Sequence, residues 1–390
     1  MINPIERCYR ELIQQGKEVL KLFSGNPCDE GFFFPKEILN KAYQKYFETL
    51  HYQPHSKGLP QARQGISGFY ARSGLEINPE HLLLTSGSSE SFHYLFTLLT
   101  HPEDNILTPN PAYPLFDTIA QMSRIELRHY PLLENQNWEV DIEALKNLTD
   151  EKTRAIVLVS PNNPTGSVIS AEQIREIVEW ANEKNIALIC DEVFSEFYFH
   201  PPSSDELNHF PRPAQVAKPN LCFTLNGISK MFALPSLKLS WILVTGENKK
   251  VEQAVDQLET LADTFLSCHT PIQQALPVLF SEGWSFVQDY VAEVARRRTI
   301  LISLLEEIPN LRFNSPQGAF YCLVDFSNTV KAQQIGDEEE FVIALMKETK
   351  VFIHPGYFYD YEIGVHGVIS FLCSPDKLKV GLGKLKVFLS

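Results

Sequence analysis

Three side chains in this sequence could act together on one carbonyl compound: an amide at Asn163, a carboxylate at Asp191 and a primary amine at Lys230. They lie in the segments Ser160-Pro161-Asn162-Asn163-Pro164-Thr165-Gly166, Asp191-Glu192-Val193-Phe194 and Leu225-Asn226-Gly227-Ile228-Ser229-Lys230. A lysine amine condenses with an aldehyde to a Schiff base, and a carboxylate keeps a pyridine-type nitrogen protonated. Taken singly, each residue has a plainer reading. Lys230 could be solvated, Asp191 could cap a helix or join a surface ion pair, and Asn163 could be a turn residue favoured by the proline after it. What argues for one site is that all three follow apolar runs of similar length.

Those runs have to position the chemistry. From about residue 80 to 245, short apolar stretches alternate with longer amphipathic ones. Strands are predicted over 82–84, 155–159, 186–190, 221–225 and 241–244. A helix is predicted over 171–184, where Ile174, Ile177, Val178 and Ala181 recur at helical spacing. Alternating strands and helices imply a mainly parallel sheet with both faces covered, and ligands gather outside the carboxyl ends of such strands. After residue 247 the pattern changes to helices over 249–265, 272–280 and 286–307. Shorter elements then follow over 319–324, 338–348, 351–354, 367–372 and 376–388. The expectation is an α/β protein: a large domain with the mainly parallel sheet over 45–285, and a smaller α/β domain from 1–44 and 286–390. The helix over 286–307 bridges them, and residues 1–40 pack beside the smaller domain. Pro201-Pro202 and Pro211-Arg212-Pro213 flank a surface loop.

Bulk properties narrow the partners. The chain has 390 residues, 44% hydrophobic and 21% charged, as in ordinary globular proteins. A net charge of -14 argues against nucleic acid, whose phosphates select for clustered Lys and Arg. The one basic run, Arg296-Arg297-Arg298, reads as a solvated helix face. Seven scattered cysteines with no C-x-x-C pair read as free thiols in a reducing compartment and suggest no metal set. The first twenty residues carry charges throughout and resemble neither a signal peptide nor a membrane span. A cytoplasmic protein, not membrane-bound, is expected.

In order and spacing, the three segments resemble the aspartate-aminotransferase superfamily of fold type I, class I/II, over nearly the whole chain. The segment His129-Tyr130-Pro131-Leu132-Leu133-Glu134, with Trp138 and Asp141 beyond, is most similar to the alanine-aminotransferase-like branch. The resemblance implies pyridoxal 5′-phosphate as cofactor and an amino donor and a 2-oxo acid as substrates. It implies that Lys230 forms the Schiff base and moves a proton, that Asp191 pairs with the pyridine nitrogen, and that Asn163 bonds the phenolate oxygen. Gly87, Ser88 and Ser89, in Thr85-Ser86-Gly87-Ser88-Ser89-Glu90, match the turn that cradles the phosphate. Backbone N–H groups at a helix start suit an anion. Ser229 would add a hydroxyl, and Lys238 stands where the family usually has arginine. Tyr113 matches the aromatic residue that stacks on the ring. Tyr52 matches a tyrosine that reaches the neighbouring subunit's phosphate, which implies a homodimer with shared sites. Gly25, in Phe23-Ser24-Gly25-Asn26-Pro27, matches the segment that closes over the substrate.

Two further departures stand out. Relatives often place a tyrosine three residues after the aspartate, where this chain has Phe194. In the C-terminal strand, His366-Gly367-Val368-Ile369-Ser370-Phe371, the substrate-clamping arginine is replaced by Val368. Rival readings are a pyridoxal-phosphate lyase, which would share Lys230, Asp191 and Asn163, and a non-catalytic module that kept the fold.

Overall fold

The computed structural model describes residues 2–50, 52, 54–199 and 210–390. Most of the loop expected between Pro201-Pro202 and Pro211-Arg212-Pro213 lies outside the described residues, as does Gln53 beside Tyr52.

The apolar runs over 82–84, 155–159, 186–190, 221–225 and 241–244 become strands of one eight-stranded sheet. In order across it the strands begin at Leu82, Ser240, Leu221, Ala187, Thr153, Asn105, Glu126 and Glu139. Six run parallel, while those starting at Ser240 and Glu139 run against their neighbours. Strands Leu82–Thr85 and Ala187–Cys190 are buried at every position, as expected where helices cover both faces. The helix Ala171–Lys184 buries Ile174, Ile177, Val178 and Ala181, starts at a Ser170 cap and stops at Asn185 in the left-handed region.

Two strands of this sheet carry too little apolar signal to be read from sequence. In Asn105–Asn110, Asn105 is fully buried but bonded to Asp150 and Thr153 (2.9 and 2.7 Å), so its polarity is satisfied inside the fold. Glu126–Leu133 carries Glu126, Arg128 and His129 along its length.

A second, antiparallel sheet joins Arg312–Phe313, Tyr321–Asp325, His366–Ser370 and His354–Pro355 in that order. Leu20–Lys21 pairs with Val351–Phe352, which draws the N-terminal segment to this side of the molecule. The helix Trp284–Glu306 runs alongside and buries Tyr290, Val294 and Leu301. It also corrects the reading of the arginine run. Arg296 is exposed and pairs with Glu293, but Arg297 is buried and donates to the carbonyls of Glu30 and Leu372 (3.2 and 2.6 Å). Arg298 donates to the carbonyl of Pro316 and lies over the Phe199 ring. Two of the three guanidiniums therefore fix loops against the helix, a task that helical spacing alone does not reveal.

The two sheets meet where Gly166 ends the Asn-Pro-Thr-Gly turn. Its carbonyl accepts from the N–H groups of Gln317 and Gly318, both at 2.8 Å. With φ +70°, a Cβ there would fall 2.3 Å from Pro316, so only glycine fits this contact.

Candidate active site

The parallel strands end along one edge, and the sequence-predicted residues collect there. Asp191 is the last residue of Ala187–Asp191, in register with Val159 and Leu225 on either side. Asn163 lies four residues past Val159. Lys230 sits in the single helical turn Ile228–Met231 directly after the strand Leu221–Gly227, with Ser229 beside it.

Lys230 Nζ donates to the carbonyl of Gly25 at 2.8 Å and faces the rings of Phe194 and Phe320 at 5.6 and 5.8 Å. It forms no ion pair with a described residue. Burial lowers its pKa from 10.5 to about 8, so a useful fraction of the amine is neutral and nucleophilic near neutral pH. Asp191 accepts the N–H of Val193 at 3.1 Å but has no cationic partner among the described residues, and burial raises its pKa from 3.8 to about 6. A protonated ring nitrogen against this carboxylate would relieve that cost. Asn163 Oδ1 is buried without a hydrogen-bond partner among the described residues, so its amide is free to turn toward a ligand. Phe194 is buried and offers no donor.

The helix Ser88–Leu99 begins at Gly87, leaving the N–H groups of its first turn without carbonyls behind them. The Glu90 carboxylate takes the N–H of Ser86, and the Thr85 and Ser91 hydroxyls bond each other at 2.8 Å. Lys238, held in the left-handed region at φ 49°, comes back to this turn. Its Nζ lies 3.3 Å from where a Cβ on Gly87 would stand. An ammonium, free N–H groups and a small-residue turn form a cup that suits a phosphate. Tyr113 is 50% exposed at the same edge and Tyr52 is 65% exposed, so neither is a core residue in the single chain.

Val368 has no exposed surface and lies between Leu323 and His354 in the small sheet, on the same face as Tyr321. His366, two residues before it, is committed to other partners. Its Nε2 lies 3.2 Å from Glu134 and 4.0 Å from Asp325, whose remaining oxygens are taken by Tyr361 and Arg312. A cavity of about 1140 Å³ lies beside that cluster, lined by Asn110, Glu134, Arg312 and Tyr361 among others. It touches none of Lys230, Asp191 and Asn163.

Sequence reasoning missed what faces the lysine from the small sheet. Tyr321 opens the strand Tyr321–Asp325, and its hydroxyl approaches Gly25 so closely that a Cβ there would be 2.0 Å away. Phe23 stacks on His354 at 3.7 Å, and His354 Nδ1 pairs with the Tyr359 hydroxyl at 3.1 Å. Burial lowers the His354 pKa to about 4, which leaves it neutral. Tyr321 stands in a predicted strand, but nothing in the sequence tells which of its residues turn inward.

The fold, the edge of parallel strands and the lysine–aspartate–asparagine set are those of a pyridoxal-phosphate enzyme of fold type I. The chain belongs to the family described as aminotransferase class I and II, which matches residues 17–385. It is a transaminase, moving an amino group between an amino acid and a 2-oxo acid. Among its relatives, glutamate-pyruvate aminotransferase AlaA of Escherichia coli K12 is 29% identical over 392 residues, covering 100% of this chain and 94% of that protein. Alanine aminotransferase of Mycobacterium tuberculosis H37Rv is 28% identical over 369 residues, covering 93% and 84%. The solved alanine aminotransferase of Pyrococcus furiosus superposes with a TM-score of 0.90 at 25% identity, covering 99% of this chain and 95% of its own.

Proposed function

We propose that Lys230 is the residue that carries pyridoxal phosphate as a Schiff base and moves the proton during amino transfer. The observation that supports this most is its buried amine, with a pKa near 8 and no carboxylate partner among the described residues, facing the edge where Asp191 and Asn163 lie. The bound cofactor supplies an electron-poor ring that accepts the electron pair left when the substrate's α C–H bond breaks. Asp191 keeps the ring nitrogen protonated. Asn163 donates to the phenolate oxygen, and Phe194 leaves that oxygen one donor short. Gly87, Ser88, Ser89, Ser229 and Lys238 hold the phosphate, and Tyr113 packs on the ring. The neutral amine of Lys230 would take the substrate's α-proton and return it one position away. Gly25 closes its backbone over the substrate.

A large domain over 45–285 and a smaller one from 1–44 and 286–390 would each be built around one of the two sheets. Tyr52 is exposed, and Phe47 and Leu50 just before it are exposed too, which supports a homodimer whose partner covers this segment and shares the phosphate site. Seven free cysteines, two with sulfurs only 3.6 Å apart, support a reducing, cytoplasmic setting. Among the described residues, no helix is long and apolar enough to cross a membrane.

The test is a half-reaction. Adding an amino acid to the yellow protein should convert its absorbance to that of pyridoxamine phosphate, and a 2-oxo acid should restore it. Borohydride should fix the cofactor on the peptide containing Lys230. Elimination products with an unchanged spectrum would replace this reading with a lyase.

A further inference from the structure

Gly25 has to aim a carbonyl that it cannot hold by itself. Only glycine fits there, because the Tyr321 hydroxyl lies 2.0 Å from where a Cβ would stand. A glycine backbone is soft in both torsions, so the direction of its carbonyl must be set from outside. Yet that carbonyl is the acceptor, at 2.8 Å, for the Lys230 amine.

Ser370 supplies one of two anchors. It is fully buried in the strand His366–Ser370, and its N–H donates to the Leu22 carbonyl at 2.6 Å. Its hydroxyl lies 2.6 Å from the Ser24 carbonyl and 3.2 Å from that of Phe320, which already accepts the N–H of Phe371 at 2.8 Å. The single hydroxyl proton therefore goes to Ser24. The Ser24 carbonyl and the Gly25 N–H share one planar peptide group, so this bond fixes the plane from which Gly25 turns. On the other side, the Asn26 side chain accepts the N–H of Cys28 at 3.2 Å. Gly25 hangs between the two.

We infer that Ser370 is a positioning residue for Lys230: its hydroxyl fixes the Ser24–Gly25 peptide so that the Gly25 carbonyl meets the lysine amine. Its part in amino transfer rests on the role proposed for Lys230 above. A carbonyl binds an ammonium more strongly than a neutral amine, so it stabilises a lysine that has just taken a proton. The other groups around the amine cannot stand in for this bond. Phe194 and Phe320 present uncharged rings, and burial holds the Tyr321 hydroxyl far above its ordinary pKa. Asp191, Lys238 and Tyr113, at the same edge, keep their side chains when the Ser370 hydroxyl is removed.

The test is trace acetylation of the cofactor-free full chain with acetic anhydride from about pH 6 to about pH 10, read at the peptide containing Lys230. The reagent takes only the neutral amine, so its rate follows the deprotonated fraction. In the wild type the midpoint should lie near 8. Ser370→Ala should lower it by about half a unit to one unit, the difference between a hydrogen bond from a charged donor and one from a neutral donor. Ile369→Val thins the other face of the same strand and keeps the hydroxyl, so it should lower the melting temperature and leave the midpoint in place. The inference is overturned by a Ser370→Ala midpoint that rises or stays within about 0.2 unit of the wild type. It is equally overturned by an Ile369→Val midpoint that falls as far, since a loosened sheet would then be the cause. If Ser370→Ala does not fold, Ser370→Cys decides, because a thiol donates more weakly and should move the midpoint in the same direction. Failure of the parent reading looks different: borohydride would fix the cofactor on a peptide other than the one containing Lys230, whatever the midpoints.

Discussion

The large-sheet side of the cleft carries Lys230 with a lowered pKa, Asp191 with a raised one, and Lys238 folded back on the start of a helix. The small-sheet side presents Tyr321, neutral His354 stacked on Phe23, and beside them a buried valine. One side holds ionisable groups whose cost of burial a charged ligand would relieve. The other is aromatic and uncharged. The contrast explains why the cofactor is far easier to name than the substrate: pyridoxal phosphate has a cation, an anion and an aldehyde to match, and the small-sheet side offers nothing so specific.

The contrast can be broken most severely at Lys230. Lys230→Ala should lower turnover by at least about four powers of ten, each being roughly 1.4 kcal/mol of barrier. Cofactor should still bind through the phosphate cup, as dialysis and absorbance would show. Appreciable turnover in this variant would move the reacting amine elsewhere.

Asp191 tests whether the strain of the charged side serves the cofactor. Asp191→Asn should slow amino transfer by two or more powers of ten, roughly 3 kcal/mol of barrier. It should also stabilise the apoprotein. The folded carboxyl titrates near 6 and the unfolded one near 3.8, so its cost appears as pH rises between those values and is complete above 6. At pH 7 the substitution should therefore gain about 2 to 3 kcal/mol, and below pH 4 essentially nothing. Apoprotein melting curves at both pH values check this, and an equal shift at each would refute the linkage.

Lys238→Arg sharpens the phosphate end. A guanidinium bonds two phosphate oxygens at once, so the cofactor dissociation constant should fall about three- to tenfold, as for a gain of roughly 1 kcal/mol. Weaker binding would mean that the left-handed backbone at 238 suits only the slimmer ammonium.

The smallest effect belongs to Phe194→Tyr. Restoring a donor to the phenolate oxygen favours its charged form and should lower the pH midpoint of the bound cofactor's visible band by up to about one unit. A fixed midpoint would place residue 194 out of reach.

The difference between the two sides also marks where sequence reading worked. Strand ends bearing Asn163, Asp191 and Lys230 were legible because the fully buried strands before them are continuous apolar runs, and a parallel sheet aligns its carboxyl ends. The strand Asn105–Asn110 was not legible, because Asn105 and Thr108 are satisfied by partners distant in sequence. Arg297 was misread for the same reason, its carbonyl partners lying 267 and 75 residues away.

By itself the sequence determined the fold class and the cofactor, because each depends on residue type within short segments. The tertiary structure alone decided that Val368 is buried, that His366 belongs to Glu134, and that a tyrosine from the second sheet points at Gly25 beside the reactive lysine. Those facts depend on which strand faces which and on the side a strand residue turns toward, and a one-residue change of register would reverse them.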